Sequence, residues 1–420
     1  MNSDIFEKYE SEVRSYCRSF PTVFKKAKGS VLTDTEGKEY IDFFSGAGAV
    51  NYGHNNDEIK SALIEYLNSD GIIHALDMYT PVKADFIKYF EDNILSARGL
   101  DYKIQFPGPT GTNAVEAALK LARKVKGRSN IFALMGAFHG MTLGSLALTC
   151  DEASRGGAGV ELSNVTHLPA PYMMGGFDTL RYARTLLDDD HSGVEKPAAF
   201  VLETVQADGG INVMSIEFLK GLREFCDEND ILLIVDDIQV GCGRSGNFFS
   251  FERAGIKPDM VTVSKSIGGY GLPLSLVLIS PELDKWSPGE HTGTFRSNQL
   301  SLVAARKALE VFVKEDIPAQ VEHKQGIVSR FMKEEIETID SRISSRGIGL
   351  VWGVDLSGLG GDSFSRKVMH SAFDNGLVIE RVGRDNSVMK IMPPLVIEDE
   401  LLIEGLRRLK NAIVKETENL

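Results

Sequence analysis

A series of short, continuous apolar runs through the middle of the chain constrains its fold more than any other feature. Residues 130–134, 198–203, 231–236, 260–264 and 275–279 are five or six residues long and strand-prone, and helix-like stretches such as 215–229 separate them. A strand with one wet face alternates polar and apolar residues. A continuous apolar strand is covered on both sides, and strands joined through helices run parallel. The pattern therefore predicts an α/β fold with a mostly parallel sheet covered by helices.

The flanks read differently. Residues 29–44 form a hairpin turning at Glu36-Gly37, followed by a helix over 56–69. Another helix starts near Thr112-Asn113, with Glu116 three places after Asn113 as a capping partner, and runs to Lys126. A long amphipathic helix covers 299–315. The last hundred residues change character: a polar helix at 322–340, strand-like 348–356, a helix at 363–375 and strand-like VMKIMPPLVI at 388–397. We expect a large domain over 51–315 and a smaller α+β domain from both ends, 1–50 and 316–420. The 420 residues, 43% hydrophobic, are enough for both.

Bulk properties narrow the function. The formal net charge of −13 repels nucleic acid and anionic membrane. No apolar run reaches membrane-spanning length, and the charged start MNSDIFEKYESEVRSYCRSF lacks the apolar segment of a secretory signal, so a cytoplasmic protein is expected. Cys17, Cys150, Cys226 and Cys242 are scattered without a CxxC pair, which favours reduced thiols over a disulfide or zinc framework.

Four segments could carry chemistry. The run ILLIVDD ends in Asp236-Asp237, where α/β sheets collect ligands. Lys265 follows the next strand at once, beside glycines 268, 269 and 271. A lysine in such a pocket loses its proton more easily than a solvated one, and the neutral amine attacks aldehydes. Gly111 and Thr112 open a helix, whose free amides suit a phosphate. Phe138 and His139 follow a strand, where an aromatic ring can stack on a flat cofactor. Each has an ordinary alternative: a capping aspartate, a surface lysine, a plain helix start, a core phenylalanine. Together they describe pyridoxal phosphate (PLP), which needs a phosphate cradle, a carboxylate for its pyridine nitrogen, a lysine for its aldehyde and a cover for its ring. Gly241, Gly243 and Gly246 also make a GxGxxG, but the next stretch is broken by Gly255 and Pro258 and lacks the helix that a dinucleotide site requires.

With LLIVDDIQVGCGRSG, PDMVTVSKSIGGYGLP, HTGTFRSNQL and the late MPPL in this order, the chain resembles the class III (ω-amino) aminotransferases of PLP fold type I over nearly its whole length. The resemblance implies that Lys265 holds the cofactor as a Schiff base and shuttles a proton, while Asp236 partners the pyridinium. It places Gln239 beside the ring hydroxyl, Gly111 and Thr112 at the phosphate, and Phe138 over the ring with His139 next to it. Thr294 would reach the phosphate in a neighbouring subunit of a homodimer or dimer of dimers. Glu203 would gate a carboxylate-binding arginine near the C-terminus.

Segments 43–55, 71–80, 105–123 and 294–298 carry a finer likeness to members that move an amino group between glutamate and aspartate 4-semialdehyde. Two positions depart from the wider pattern. Lys390 stands where many members have an arginine, and it offers charge without a bidentate fork. Met141 stands where 4-aminobutyrate transaminases have an arginine after FHG. An ornithine, acetylornithine or 4-aminobutyrate transaminase, an aminomutase or racemase, a nicotinamide dehydrogenase and a non-catalytic binding protein are the alternatives.

Overall fold

A computed structural model describes residues 4–420. Seven strands form its central sheet: β1 (Lys103–Gln105), β2 (Ile131–Leu134), β3 (Val165–Leu168), β4 (Ala199–Leu202), β5 (Leu232–Asp236), β6 (Met260–Val263) and β7 (Leu276–Ile279). Their spatial order is β1-β7-β6-β5-β4-β2-β3. Only β7 runs against its neighbours, so the carboxyl ends of the other six share one edge.

The apolar runs are explained by two cores. Phe132, Leu134, Phe200, Leu202, Leu233 and Val235 pack on one side of the sheet. The alternate residues Ile131, Ala133, Ala199, Val201, Leu232 and Ile234 pack on the other, against helix α1 (Gly111–Lys126). Ala114, Ala117, Ala118 and Ala122 are fully or nearly fully buried on that helix, so its backbone lies close to the sheet. Fully burying one leucine or phenylalanine contributes about 1.5–3 kcal/mol, and both faces of each strand contribute.

The flanks form two further four-stranded sheets. Phe24–Lys28, Val31–Asp34 and Glu39–Asp42 are antiparallel, and Leu377–Val378 joins them parallel to Glu39–Asp42. The two ends of the chain thus share a sheet. Ser344–Ile348, Val351–Asp355, Val388–Ile391 and Glu380–Val382 form an antiparallel sheet in that order.

Several boundaries differ from expectation. The apolar run at 348–356 contains a turn at Gly349, with strands on both sides. The helix expected at 322–340 begins at Ile317, capped by Asp316, and ends as a π-turn at Met332–Ile336. At the start of α1 the cap is Thr110, whose N–H and hydroxyl both donate to Asn113 Oδ1. Glu116 does not cap this helix. It accepts from the amides of Gly144 and Ser145 and from the Thr142 hydroxyl, tying α1 to the segment after β2.

Candidate active site

Five strands deliver side chains or backbone to one place. Gly111 and Thr112 follow β1, Phe138 and His139 follow β2, Glu203 follows β4, Asp236 ends β5 and Lys265 follows β6. All of these, with Gln239, line a single cavity at the carboxyl edge of the sheet. The reason is topological: parallel strands joined through helices present their C-terminal loops together.

Asp236 forms the floor. One oxygen lies 2.7 Å from His139 Nδ1. The other accepts from the Ile238 amide and the Thr262 hydroxyl, both at 3.2 Å. The pairing of β5 with β6 sets Asp236 opposite Thr262. His139 is 2% exposed. Burial disfavours its charged form, but the hydrogen bond to Asp236 and that residue's charge outweigh this and hold its pKa above the ordinary value. His139 therefore stands behind Asp236 and braces it, while its Nε2 has no hydrogen-bond partner.

Lys265 sits in the left-handed region, with φ 53°. That conformation costs a non-glycine residue about 1–3 kcal/mol and is kept where the surroundings impose it. The Ser264 hydroxyl donates to Leu274 O and the Ser266 hydroxyl to Gly48 O, pinning both neighbours. Gly269, at φ 73°, lets the turn lie on the helix Gln299–Lys314, where a Cβ would come within 2.6 Å of Ala304 O. Burial lowers the pKa of the Lys265 amine, with Asp208 pulling the other way.

Thr112 Oγ1 lies 2.6 Å from both Thr142 Oγ1 and Ser145 Oγ, so three hydroxyls gather near the first turn of α1. Gly140 leaves room for them: a Cβ there would fall 2.6 Å from Thr112 Oγ1. Phe138 is half-buried on the cavity wall, and Ile238 and Val240 also line it.

The gating expectation is corrected. Glu203 accepts the Phe138 amide at 3.0 Å, and burial raises its pKa to about 8. The arginine position is Lys390, and its partners are Asp208 at 2.7 Å and Glu380 at 2.8 Å. Asp208, five residues after Glu203, is the carboxylate that faces Lys390 and lines the cavity. Glu203 holds the Phe138 backbone instead. Thr294 is exposed, in the loop before Gln299–Lys314, and is not among the lining residues. Asp208, Ile238 and Val240 line the cavity and were missed. Ile238 and Val240 flank Gln239 in the DDIQV run and Asp208 lies five residues after Glu203, so nearness in sequence to Gln239 and Glu203 was the available signal.

The donor set suits PLP: amides and hydroxyls at a helix start, a braced carboxylate, a half-buried aromatic wall and a half-buried lysine with a lowered pKa. Fold and site together define a PLP-dependent enzyme of fold type I. Comparison with known proteins narrows the class. A family model described as aminotransferase class-III matches residues 14–413. The diaminobutyrate–2-oxoglutarate transaminase of Nocardia farcinica is 51% identical over 98% of this chain and 94% of its own. That of Halomonas elongata is 50% identical over 97% of each. Among solved structures, a taurine:2-oxoglutarate aminotransferase from Bifidobacterium kashiwanohense, in complex with PLP and glutamate, superposes with a TM-score of 0.84 and 26% identity, covering 95% of this chain and 94% of that one. An ornithine aminotransferase from Toxoplasma gondii shares the fold, with a TM-score of 0.84, 24% identity and coverage of 99% and 94%. The chain belongs to the class III aminotransferases. It is a PLP-dependent aminotransferase.

Proposed function

We propose that this enzyme is an L-2,4-diaminobutyrate:2-oxoglutarate 4-aminotransferase. Glutamate gives up its amino group and leaves as 2-oxoglutarate; aspartate 4-semialdehyde takes the group and leaves as 2,4-diaminobutyrate. In ectoine synthesis this would be the first step. The observation that carries the reading is identity of about half over nearly the full length to relatives of that name. The replacement of the arginine after FHG by Met141, which is 56% exposed, speaks against a 4-aminobutyrate enzyme.

PLP supplies an aldehyde for the substrate amine and a ring that takes up electrons. Asp236, braced by His139 and Thr262, would keep a proton on the ring nitrogen. Lys265 Nζ, whose pKa burial lowers, would carry the proton between the substrate carbon and the cofactor carbon. This general acid–base role is worth roughly 10²–10⁴-fold. Gly111 and Thr112 would hold the phosphate through helix amides and a hydroxyl, Phe138 would cover the ring, and Gln239 would meet the ring hydroxyl.

The site is read as completed by a second copy. Phe295, next to Thr294, is 61% exposed, and Ile72, Met78 and Tyr79 beside it are 53%, 55% and 101% exposed. His74 packs edge-on against Phe295, and the Ser297 hydroxyl donates to Leu76 O, so the two segments form one apolar face. A homodimer, or a dimer of dimers, would cover it and bring Thr294 to the partner's phosphate. No described helix is long and apolar enough to cross a membrane.

The test is a screen of amines against the cofactor-loaded enzyme, following conversion of the cofactor absorbance with 2,4-diaminobutyrate, ornithine and 4-aminobutyrate side by side. Fastest conversion by 2,4-diaminobutyrate, with reversal by 2-oxoglutarate, is expected. Preference for ornithine or 4-aminobutyrate would overturn the specificity, and release of a product without 2-oxoglutarate would favour an aminomutase.

A further inference from the structure

Four consecutive residues beside Gln239 have left-handed backbone: Ser45, Gly46, Ala47 and Gly48, with φ of 52°, 57°, 57° and 86°. Residues visit this region singly, because a Cβ there crowds the next carbonyl. A run of four that includes a serine and an alanine persists only where its surroundings hold it. The holder is Asp42, which ends the strand Glu39–Asp42 and is 1% exposed. Its Oδ1 accepts the amides of Phe44 and Ser45, both at 2.8 Å, and its Oδ2 lies 2.7 Å from His54 Nε2. The buried Ser45 hydroxyl donates to Met392 O at 2.7 Å. Arg244, the other charged group near Asp42, is engaged elsewhere: it donates to Asn51 Oδ1 and to the carbonyls of Leu350 and Pro393.

The turn gives two carbonyls to the cavity wall. Gly48 O accepts the hydroxyl of Ser266, next to Lys265, at 2.6 Å, and Ala47 O accepts Gln239 Nε2 at 3.3 Å. Gln239 Oε1 faces Lys390 Nζ at 3.5 Å. Together these contacts fix which way the carboxamide points. A flipped amide would set oxygen against the Ala47 carbonyl and N–H groups against an ammonium. The carboxamide has a second N–H to give, in the cavity that Gln239 lines.

We propose that Asp42 is a positioning residue for the cofactor site: it holds the left-handed turn 45–48 and, through Ala47 O, orients the Gln239 carboxamide toward the ring hydroxyl of PLP. The proposal rests on the place given to Gln239 above. Asp42 does not line the cavity, so its influence is carried by backbone.

The test compares the affinity of the full-length apoenzyme for PLP with its affinity for an analogue lacking the ring hydroxyl. A merely structural role would weaken both alike. Gln239→Ala is expected to lower the preference for PLP about tenfold, the loss of one hydrogen bond to a charged oxygen. Asp42→Ala should lower it roughly three- to tenfold, with no further loss when it is added to Gln239→Ala. Asp42→Asn keeps an oxygen for the two amides and should stay within about twofold of the parent. Parental preference in Asp42→Ala, where Gln239→Ala has lost it, overturns the proposal alone. Parental preference in Gln239→Ala overturns the proposal together with the place given to Gln239. A further loss in the double variant overturns the route through Gln239. Should Asp42→Ala fail to fold, Gly46→Val decides: position 46 is exposed, and a β-branched residue strains the turn without removing a contact, so the preference should fall at least about twofold, and an unchanged preference overturns the proposal.

Discussion

The floor and the roof of the cavity are built on opposite plans. On the floor, Asp236 meets His139, Thr262 and the Ile238 amide, so it is held in one place by groups from three strand ends. The roof is reached only through Asp208: behind it, Lys390 on Val388–Ile391 and Glu380 on Glu380–Val382, neither of which lines the cavity, place one cation among two acids and leave an oxygen without a hydrogen bond. A satisfied carboxylate is rigid, which suits a step that every amino transfer shares. The contrast is between a carboxylate fixed by several donors and a cation shared between two acids that come from different sheets.

The largest effect tests the floor. Lys265→Ala removes the proton carrier and should lower turnover by at least roughly 10²–10⁴-fold with every amine; normal turnover in a steady-state assay would refute the assignment. Asp236→Asn should cost about 10²–10³-fold for all substrates alike, since a charge that stabilises the electron sink is lost. If its effect differed between diaminobutyrate and 4-aminobutyrate, the reading of the floor as common to all substrates would break.

The roof predicts the opposite signature. Lys390→Met should raise KM about tenfold for substrates with a far carboxylate, with a smaller change in kcat, because binding rather than proton transfer is lost. A fall in kcat with constant KM would place Lys390 with the floor.

The smallest effect concerns stability. Burial lifts Glu203 to about 8, from 4.5 in the unfolded chain. Between these values the folded state keeps a proton that the unfolded state has released, so this group favours folding at low pH and its contribution falls as pH rises through the window. The slope approaches about 1 kcal/mol per pH unit. Glu203→Gln should therefore gain melting temperature relative to the parent as pH is raised from about 5 to 8. Parallel melting curves would show that Glu203 is not held neutral.

Much of this was legible in the chain itself. Asp236 and Lys265 are the ends of apolar runs, and in a parallel sheet such ends converge. The helices expected over 56–69 and 299–315 are found at Asp57–Asn68 and Gln299–Lys314, capped by Asn56 and Asn298, within one residue at every end. β1 and β3 were not foreseen, because KIQ and VTHL are short and carry polar residues: their place comes from pairing with β7 and β2 rather than from a pattern of their own.

Assigning gate and cap went wrong for a related reason. Glu203 and Asp208 lie five residues apart in one motif, and nothing local says which carboxylate will face Lys390, some 180 residues later. Similarly, Glu116 sits at a reasonable capping distance from Asn113, yet a better partner exists in the amides of Gly144 and Ser145.

Periodicity, strand ends and turn glycines are local properties, so the amino-acid order alone determined the parallel sheet, the edge where ligands gather and the lysine–aspartate pair. Which buried acid meets which buried base depends on how separate sheets dock. Charge pairing is set by distances of a few ångströms between residues far apart in the chain, and only the tertiary structure decided those.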